Sequence, residues 1–219
     1  LSGSELVVFE ELYLDKSLIA QHKDPEDDKQ TVYIPDGHTM AVDPDTEEHT
    51  MKAGGTVIIR DRIFYENLVP GAEYAVRGRV MQKPAGKEEV RELEAVMTDE
   101  KGSEVEELIF TPKERDGSVD VYFALNSDEL KGKSAVIFET VEYINTEEGS
   151  RVLLFTHEDI EDEEQTIHFP DGGTTALDSE TGGHSANADE NVRILDEVRY
   201  INLIPGKTYT VTGTLMDKK

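Results

Sequence analysis

Apolar side chains in the middle of this chain recur at every second position. Tyr74, Val76, Gly78 and Val80 alternate with Glu73, Arg77 and Arg79, and Val119, Val121, Phe123 and Leu125 alternate with Asp120, Tyr122 and Ala124. A period of two turns one face of an extended strand toward a core and the other toward water. The same pattern predicts strands at Thr56 to Phe64, Val90 to Met97, Glu106 to Thr111, Ser134 to Tyr143, Val152 to Thr156 and Gln165 to Phe169. Turn signals separate them, among them Pro70-Gly71, Lys101-Gly102 and Asp116-Gly117. No stretch carries the period of about 3.6 that marks a long amphipathic helix. The expected fold is all-β, an immunoglobulin-like antiparallel β-sandwich.

The pattern also repeats at long range. Gln30 to Met81 aligns without a gap on Gln165 to Met216, at a constant offset of 135, with 23 of 52 positions identical. Upstream, Val7-Val8-Phe9-Glu10 matches Val136-Ile137-Phe138-Glu139 at an offset of 129, so the second copy carries six extra residues around Asn145 to Gly149, a turn composition. This register divides the chain. Residues 1–34 read as the tail of a preceding repeat, 35–170 as one complete repeat and 171–219 as the head of the next. The two flanks together lack the counterparts of about Ala85 to Glu129, so even joined they would miss several strands. The chain is expected to be a segment of a longer tandem array.

Composition narrows the range of partners. The 219 residues hold 48 acidic against 22 basic side chains, a net charge of -26. Such a surface repels nucleic-acid phosphates. No apolar run approaches the roughly 20 residues of a spanning helix, and Leu1 to Val8 lacks the basic start of a signal peptide, so no membrane insertion is expected in this segment. With no cysteine, neither a disulfide nor a thiolate zinc site can form, and any covalent staple must come from other side chains.

Five polar residues of the complete repeat fall on or beside predicted strands: Thr39, Asp61, Glu139, His157 and Gln165. Each type recurs in a flank, as Glu10, His22 and Gln30 before and as Thr174 and Asp196 after. Neighbouring positions change freely, Arg60 to Leu195 and Lys29 to Glu164 among them. Alternation places Gln165 with Ile167 and Phe169, and Glu139 with Ile137 and Val141, so the polar groups are buried if the apolar ones are. Buried carboxamides and carboxylates cost several kcal/mol unless paired, so these must find one another. A hydroxyl, an imidazole and a carboxylate then form a nucleophile, base and orienter set, and the carboxamide supplies an electrophilic carbonyl. The chain itself can be the substrate.

At these residues the sequence resembles the VaFE, or Thr-Gln ester-bond, repeats of Gram-positive surface adhesins. The likeness rests on Val-x-Phe-Glu, on a His followed eight residues later by Gln-Thr, on the Thr after Pro-Asp-Gly, and on the run Asp-x-x-x-Tyr-x-Asn-Leu-x-Pro-Gly. It implies that Thr39 attacks Gln165, that ammonia leaves, and that an internal ester forms; one turnover suffices, and no cofactor and no metal-binding residue is expected. It further implies that His157 assists proton transfer and that Asp61 and Glu139 form a supporting acidic pair. Met40 stands where the next copy has Thr175, but the register points to Thr39. The resemblance places the chain outside the cell, on the wall-anchored surface of a Gram-positive bacterium, beside neighbouring repeats and far from a host ligand bound by other domains. The flanks carry partial sites, and no ester is expected in either, since Thr174 lacks its Gln and Gln30 lacks its Thr.

Rival readings make different predictions. The quintet can be a hydrogen-bond network in a plain adhesive or calcium-dependent module, although no EF-hand spacing occurs. A Lys-Asn isopeptide would give the same mass change as an ester. An enzyme acting on outside substrates finds no cofactor motif here. The acidic runs Asp24 to Asp28 and Glu158 to Glu164 read as solvated faces.

Overall fold

The computed structural model describes residues 1–84, 89–188 and 191–217. Among these, the regular elements are β-strands and two short 3-10 turns, Asp28–Gln30 and Asp128–Leu130. The first flank supplies β1 (Glu5–Val7), β2 (Glu10–Leu14), β3 (Ser17–His22) and β4 (Thr31–Tyr33). The complete repeat supplies β5 (Asp36–Val42), β6 (Thr56–Glu66), β7 (Glu73–Gln82), β8 (Arg91–Glu92), β9 (Ala95–Thr98), β10 (Leu108–Phe110), β11 (Gly117–Asn126), β12 (Lys133–Asn145), β13 (Ser150–His157) and β14 (Thr166–Phe169). The last flank supplies the hairpin β15 (Asp171–Asp178) and β16 (Ile194–Ile201).

The complete repeat is an antiparallel β-sandwich, as the period of two requires. One sheet runs β5-β6-β11-β9; the other runs β10-β7-β12-β13, with β8 added to β7 and β14 to β12. Their inner faces share one core, to which the first sheet gives Ile59, Ile63, Val121 and Phe123 and the second gives Val76, Ile137, Ile167 and Phe169. Burying side chains of this size is worth about 1.5–3 kcal/mol each. The strand expected at Val90 to Met97 is two strands: β8 pairs with β7 in one sheet and β9 with β11 in the other, and between them Leu93 packs on the core as the chain changes sheets. The strand bearing Thr39, β5, carries the polar run Asp36 to Thr39, and only its pairing with β6 reveals it.

One edge of β12 positions the site. Its C-terminal half pairs with β13, from Glu139 opposite His157, and its N-terminal half pairs with β14, up to Val136 opposite Thr166. Between those partners the edge is spanned by a single bond, from Ile137 N to Gln165 O at 3.2 Å. Strand β5 of the facing sheet closes this side of the sandwich, where Ala41 N donates to Glu164 O at 2.9 Å. The beginning and the end of the repeat therefore lie directly beside each other.

The flanks form separate two-stranded sheets, β1 with β4, β2 with β3 and β15 with β16. They touch opposite ends of the sandwich. At one end the Arg115 guanidinium lies 3.6 Å over the Tyr33 ring. At the other, Asn202 Nδ2 donates to Lys133 O at 2.5 Å, Ile201 packs over Gly132, and Lys207 Nζ lies 2.8 Å from Glu48 Oε2.

Candidate functional site

Alternation on β5 turns Gly37, Thr39 and Ala41 inward, and on β6 it turns Asp61 and Ile63 inward opposite them. Met40, the neighbour of Thr39, faces the other way. Glu139 projects from β12 between its register partners Gly78 on β7 and His157 on β13. Gln165 precedes β14 on the face of Ile167 and Phe169. Four of the five predicted residues are sealed in: Thr39 and Glu139 are 1% exposed, Asp61 and Gln165 0%.

They meet one another. The Gln165 carboxamide lies against Thr39, with Nε2 on Oγ1, and Nε2 also donates to Asp61 Oδ1 at 3.3 Å. Thr39 Oγ1 donates to Glu139 Oε2 at 3.3 Å, so Thr39 and Gln165 link the carboxyl groups of Glu139 and Asp61. Three buried oxygens, Asp61 Oδ2, Glu139 Oε1 and Gln165 Oε1, have no donor among the described residues. Apolar surroundings complete the enclosure. Gly78, beside Glu139, leaves space for the Phe123 ring, whose Cζ would lie 2.4 Å from a Cβ at that position.

Burial governs the charge of the pair. Asp61 is pushed up to about 6, first by loss of water and against hydrogen bonding from Glu139 and the field of His157. Glu139 is raised well above the usual carboxylate range by burial and then by the adjacent Asp61. Two buried carboxyls that each raise the other's cost of ionising share a proton at neutral pH. The sign of the stability effect follows. Raised folded-state values mean that the folded protein keeps protons the unfolded chain has released, so stability is greatest below the ordinary carboxylate range and falls as pH rises through 6 and beyond. In Thr39→Ala protein, the melting temperature is expected to drop from pH 5 to pH 8 by more than in Thr39→Ala/Glu139→Gln protein. The comparison cancels the general repulsion of an acidic surface, and equal slopes would count against a protonated pair.

His157 sits one step outside this cluster. Its side chain is 22% exposed, and Nε2 lies 2.6 Å from Asp162 Oδ2. The expectation that Glu158 to Glu164 is a solvated face is corrected here at Asp162. This aspartate orients His157, accepts Glu164 N at 2.8 Å, and through its carbonyl accepts Thr166 Oγ1 at 2.6 Å, which shapes the loop leading into Gln165. The repeat register carried the signal, because Asp27 occupies the equivalent position and lies 2.8 Å from His22 Nε2. Inside an acidic run it was indistinguishable from its neighbours.

The flanks hold fragments of the same arrangement. Glu10 pairs with His22 across β2 and β3, while Gln30 is half-buried and both Thr174 and Asp196 are exposed. Thr174 lies opposite Val198 and Asp196 opposite Ala176 on β15 and β16, the register of Thr39 and Asp61.

A buried threonine on the first strand, a glutamine amide against it before the last, and a sequence match along almost all of the chain now stand together. The family model described as "T-Q ester bond containing domain" matches residues 1–34, 36–169 and 171–219. This chain belongs to that family. No curated protein sequence matches it. Among solved structures, a bacterial adhesin from Mobiluncus mulieris described as containing intramolecular disulfide, isopeptide and ester bond cross-links is similar at 12% identity and a TM-score of 0.44, with 76% of each chain covered. A second crystal form of that adhesin is similar at 11% identity and a TM-score of 0.40, covering 76% of this chain and 75% of the other. A DUF4466 family protein from Parabacteroides merdae has 10% identity and a TM-score of 0.28, covering 65% and 48%. The family assignment rests on the sequence match and not on these likenesses.

Proposed function

We propose that this T-Q domain is a self-crosslinking structural unit of a bacterial surface adhesin, in which Thr39 and Gln165 condense to an ester with loss of ammonia. The observation that carries the reading is the contact of a fully buried hydroxyl with a fully buried carboxamide, flanked by a carboxyl pair. An amide does not react with an alcohol in water. Holding the groups in contact contributes up to about 7–11 kcal/mol through proximity alone, and the carboxyl pair supplies the acid and the base.

The geometry suits a proton relay. Thr39 Oγ1 adds to the Gln165 Cδ while its proton passes to Glu139 Oε2, the atom it already faces. The proton shared by the pair moves to Asp61, whose Oδ1 faces the amide nitrogen. Asp61 protonates that nitrogen, the C–N bond breaks, ammonia leaves and the Oγ1–Cδ ester remains. The pair ends with the one proton it began with, so a single turnover needs no cofactor. His157, held by Asp162, favours the ionised form of Asp61 through its field and acts as a positioning and charge-balancing residue. His157→Ala is expected to slow crosslinking and Asp162→Asn to slow it by a smaller factor, both read as a time course of intact mass. Unaltered kinetics in His157→Ala would remove the histidine from the mechanism.

Family membership also supports a place on the cell surface, among neighbouring units of the same protein, with host binding left to other domains. The crosslink would make the unit resistant to tension and to proteases. An isopeptide is less well supported, because no lysine is among the buried polar side chains of the described residues. Intact mass tests the reading: the purified chain is expected about 17 Da below its sequence mass, with Thr39 and Gln165 joined in one peptide that hydroxylamine cleaves. A full sequence mass would overturn the ester, and a hydroxylamine-resistant link would point to an isopeptide.

A further inference from the structure

We infer that Phe155, laid across Gly37, is the water seal of the Thr39–Gln165 site and decides whether the acyl group stays on Thr39 or passes to water. The inference rests on the ester reading above. Gly37 stands two residues before Thr39 on β5, and Phe155 two residues before His157 on β13, so both face inward one row from the reacting groups. A Cβ at Gly37 would lie 2.4 Å from Phe155 Cζ, 2.5 Å from its Cε2 and 2.7 Å from the Phe64 carbonyl oxygen. Gly37 is not among the glycines with positive φ, so space and not backbone freedom requires it. Its counterpart Gly172 keeps the type at the repeat offset.

The ring spans the seam between the sheets. Phe155 packs both on the main core and on the smaller cluster of Tyr65, Leu68 and Tyr74, yet it is only half-buried. Phe155 is thus a half-buried apolar side chain one row from the site, whereas Phe123 over Gly78 is 1% exposed and belongs to the deep interior. Water that passed it would attack the ester carbonyl carbon. The Cδ–Oγ1 bond would break, Thr39 would regain its proton, and position 165 would end as a glutamate side chain. The preceding copy carries Ala20 at the Phe155 position, so resistance to hydrolysis is a property of the individual unit.

Phe155→Ala and the milder Phe155→Leu test this in the full chain by intact mass in water enriched in oxygen-18. Wild type is expected to hold the loss of about 17 Da throughout. In Phe155→Ala that species is expected to convert, more than about tenfold faster than in wild type, to one about 3 Da above the uncrosslinked mass. Phe155→Leu should convert at an intermediate rate, and Thr39→Ala/Phe155→Ala should remain unreacted, which distinguishes ester hydrolysis from direct deamidation. A merely structural ring would change stability without incorporating the heavy oxygen. Durable crosslinks in both single variants, or no heavy-oxygen product in either, would overturn the seal while leaving the ester reading intact. A wild-type chain of full sequence mass would overturn both.

Discussion

Thr39→Ala protein is expected to appear at its full sequence mass, without the loss of about 17 Da, and to melt roughly 15–20 °C below wild type. The size follows from chain entropy. Thr39 and Gln165 are 126 positions apart, and closing a loop of that length removes about 5 kcal/mol of disorder from the unfolded chain by the loop-closure relation that applies to disulfides. A unit of this size unfolds with an entropy near 0.3 kcal/mol per kelvin, which converts that energy into the stated shift. The lost methyl contact contributes less. Thr39→Ser is the control, because it keeps the nucleophile and gives up only the branched Cβ that restricts its rotamer. It should crosslink more slowly and recover most of the melting temperature. A Thr39→Ala protein as stable as wild type would mean that no covalent bond had formed between these strands.

A second result of comparable size is expected under force. Wild-type units pulled from both ends should show no unfolding step for the segment between Thr39 and Gln165, whereas each Thr39→Ala unit should release about 400–450 Å of chain when it opens. On the proposed reading, load would enter at Asp36 on β5 and leave at Phe169 on β14, two segments that the Ala41 to Glu164 bond holds side by side. In the uncrosslinked chain that neighbourhood is held by backbone hydrogen bonds, each contributing roughly 0.5–1.5 kcal/mol. With the proposed ester in place the tension would cross one covalent link and the enclosed strands would stay slack. A long release from fully crosslinked wild type would disprove this load path.

The legibility of the molecule in its sequence varies from residue to residue for physical reasons. The long strands β6, β7, β11 and β12 could be read from alternation because each has one face in the core. Strand β5 could not, since the residue that matters on its inner face is a threonine and the inward one before it a glycine. The split of Val90 to Met97 into β8 and β9 depends on which sheet each half joins, and a local pattern does not encode that. The site was legible through the repeat: Thr39, Asp61, Glu139, His157 and Gln165 stood out because their types return in the flanks, and the structure brings four of them into one buried cluster with His157 beside it. Asp162 returned as well, as Asp27, but an acidic residue in an acidic run gives no contrast. The role of Gly37 was invisible, because its reason is a ring from the other sheet.

On the proposed reading of the chain as one of a run of units, the contact at the far end of the sandwich would set how far such a run reaches. Ile201 occupies the space that a side chain at Gly132 would need, and Asn202 is hydrogen-bonded to the strand that starts there. If successive units are joined in this way, each is keyed to the next instead of swivelling on a free linker. A flexible string lengthens only as the square root of the number of its links. A row of keyed units lengthens in direct proportion, so adding copies would carry a binding tip steadily farther from its origin.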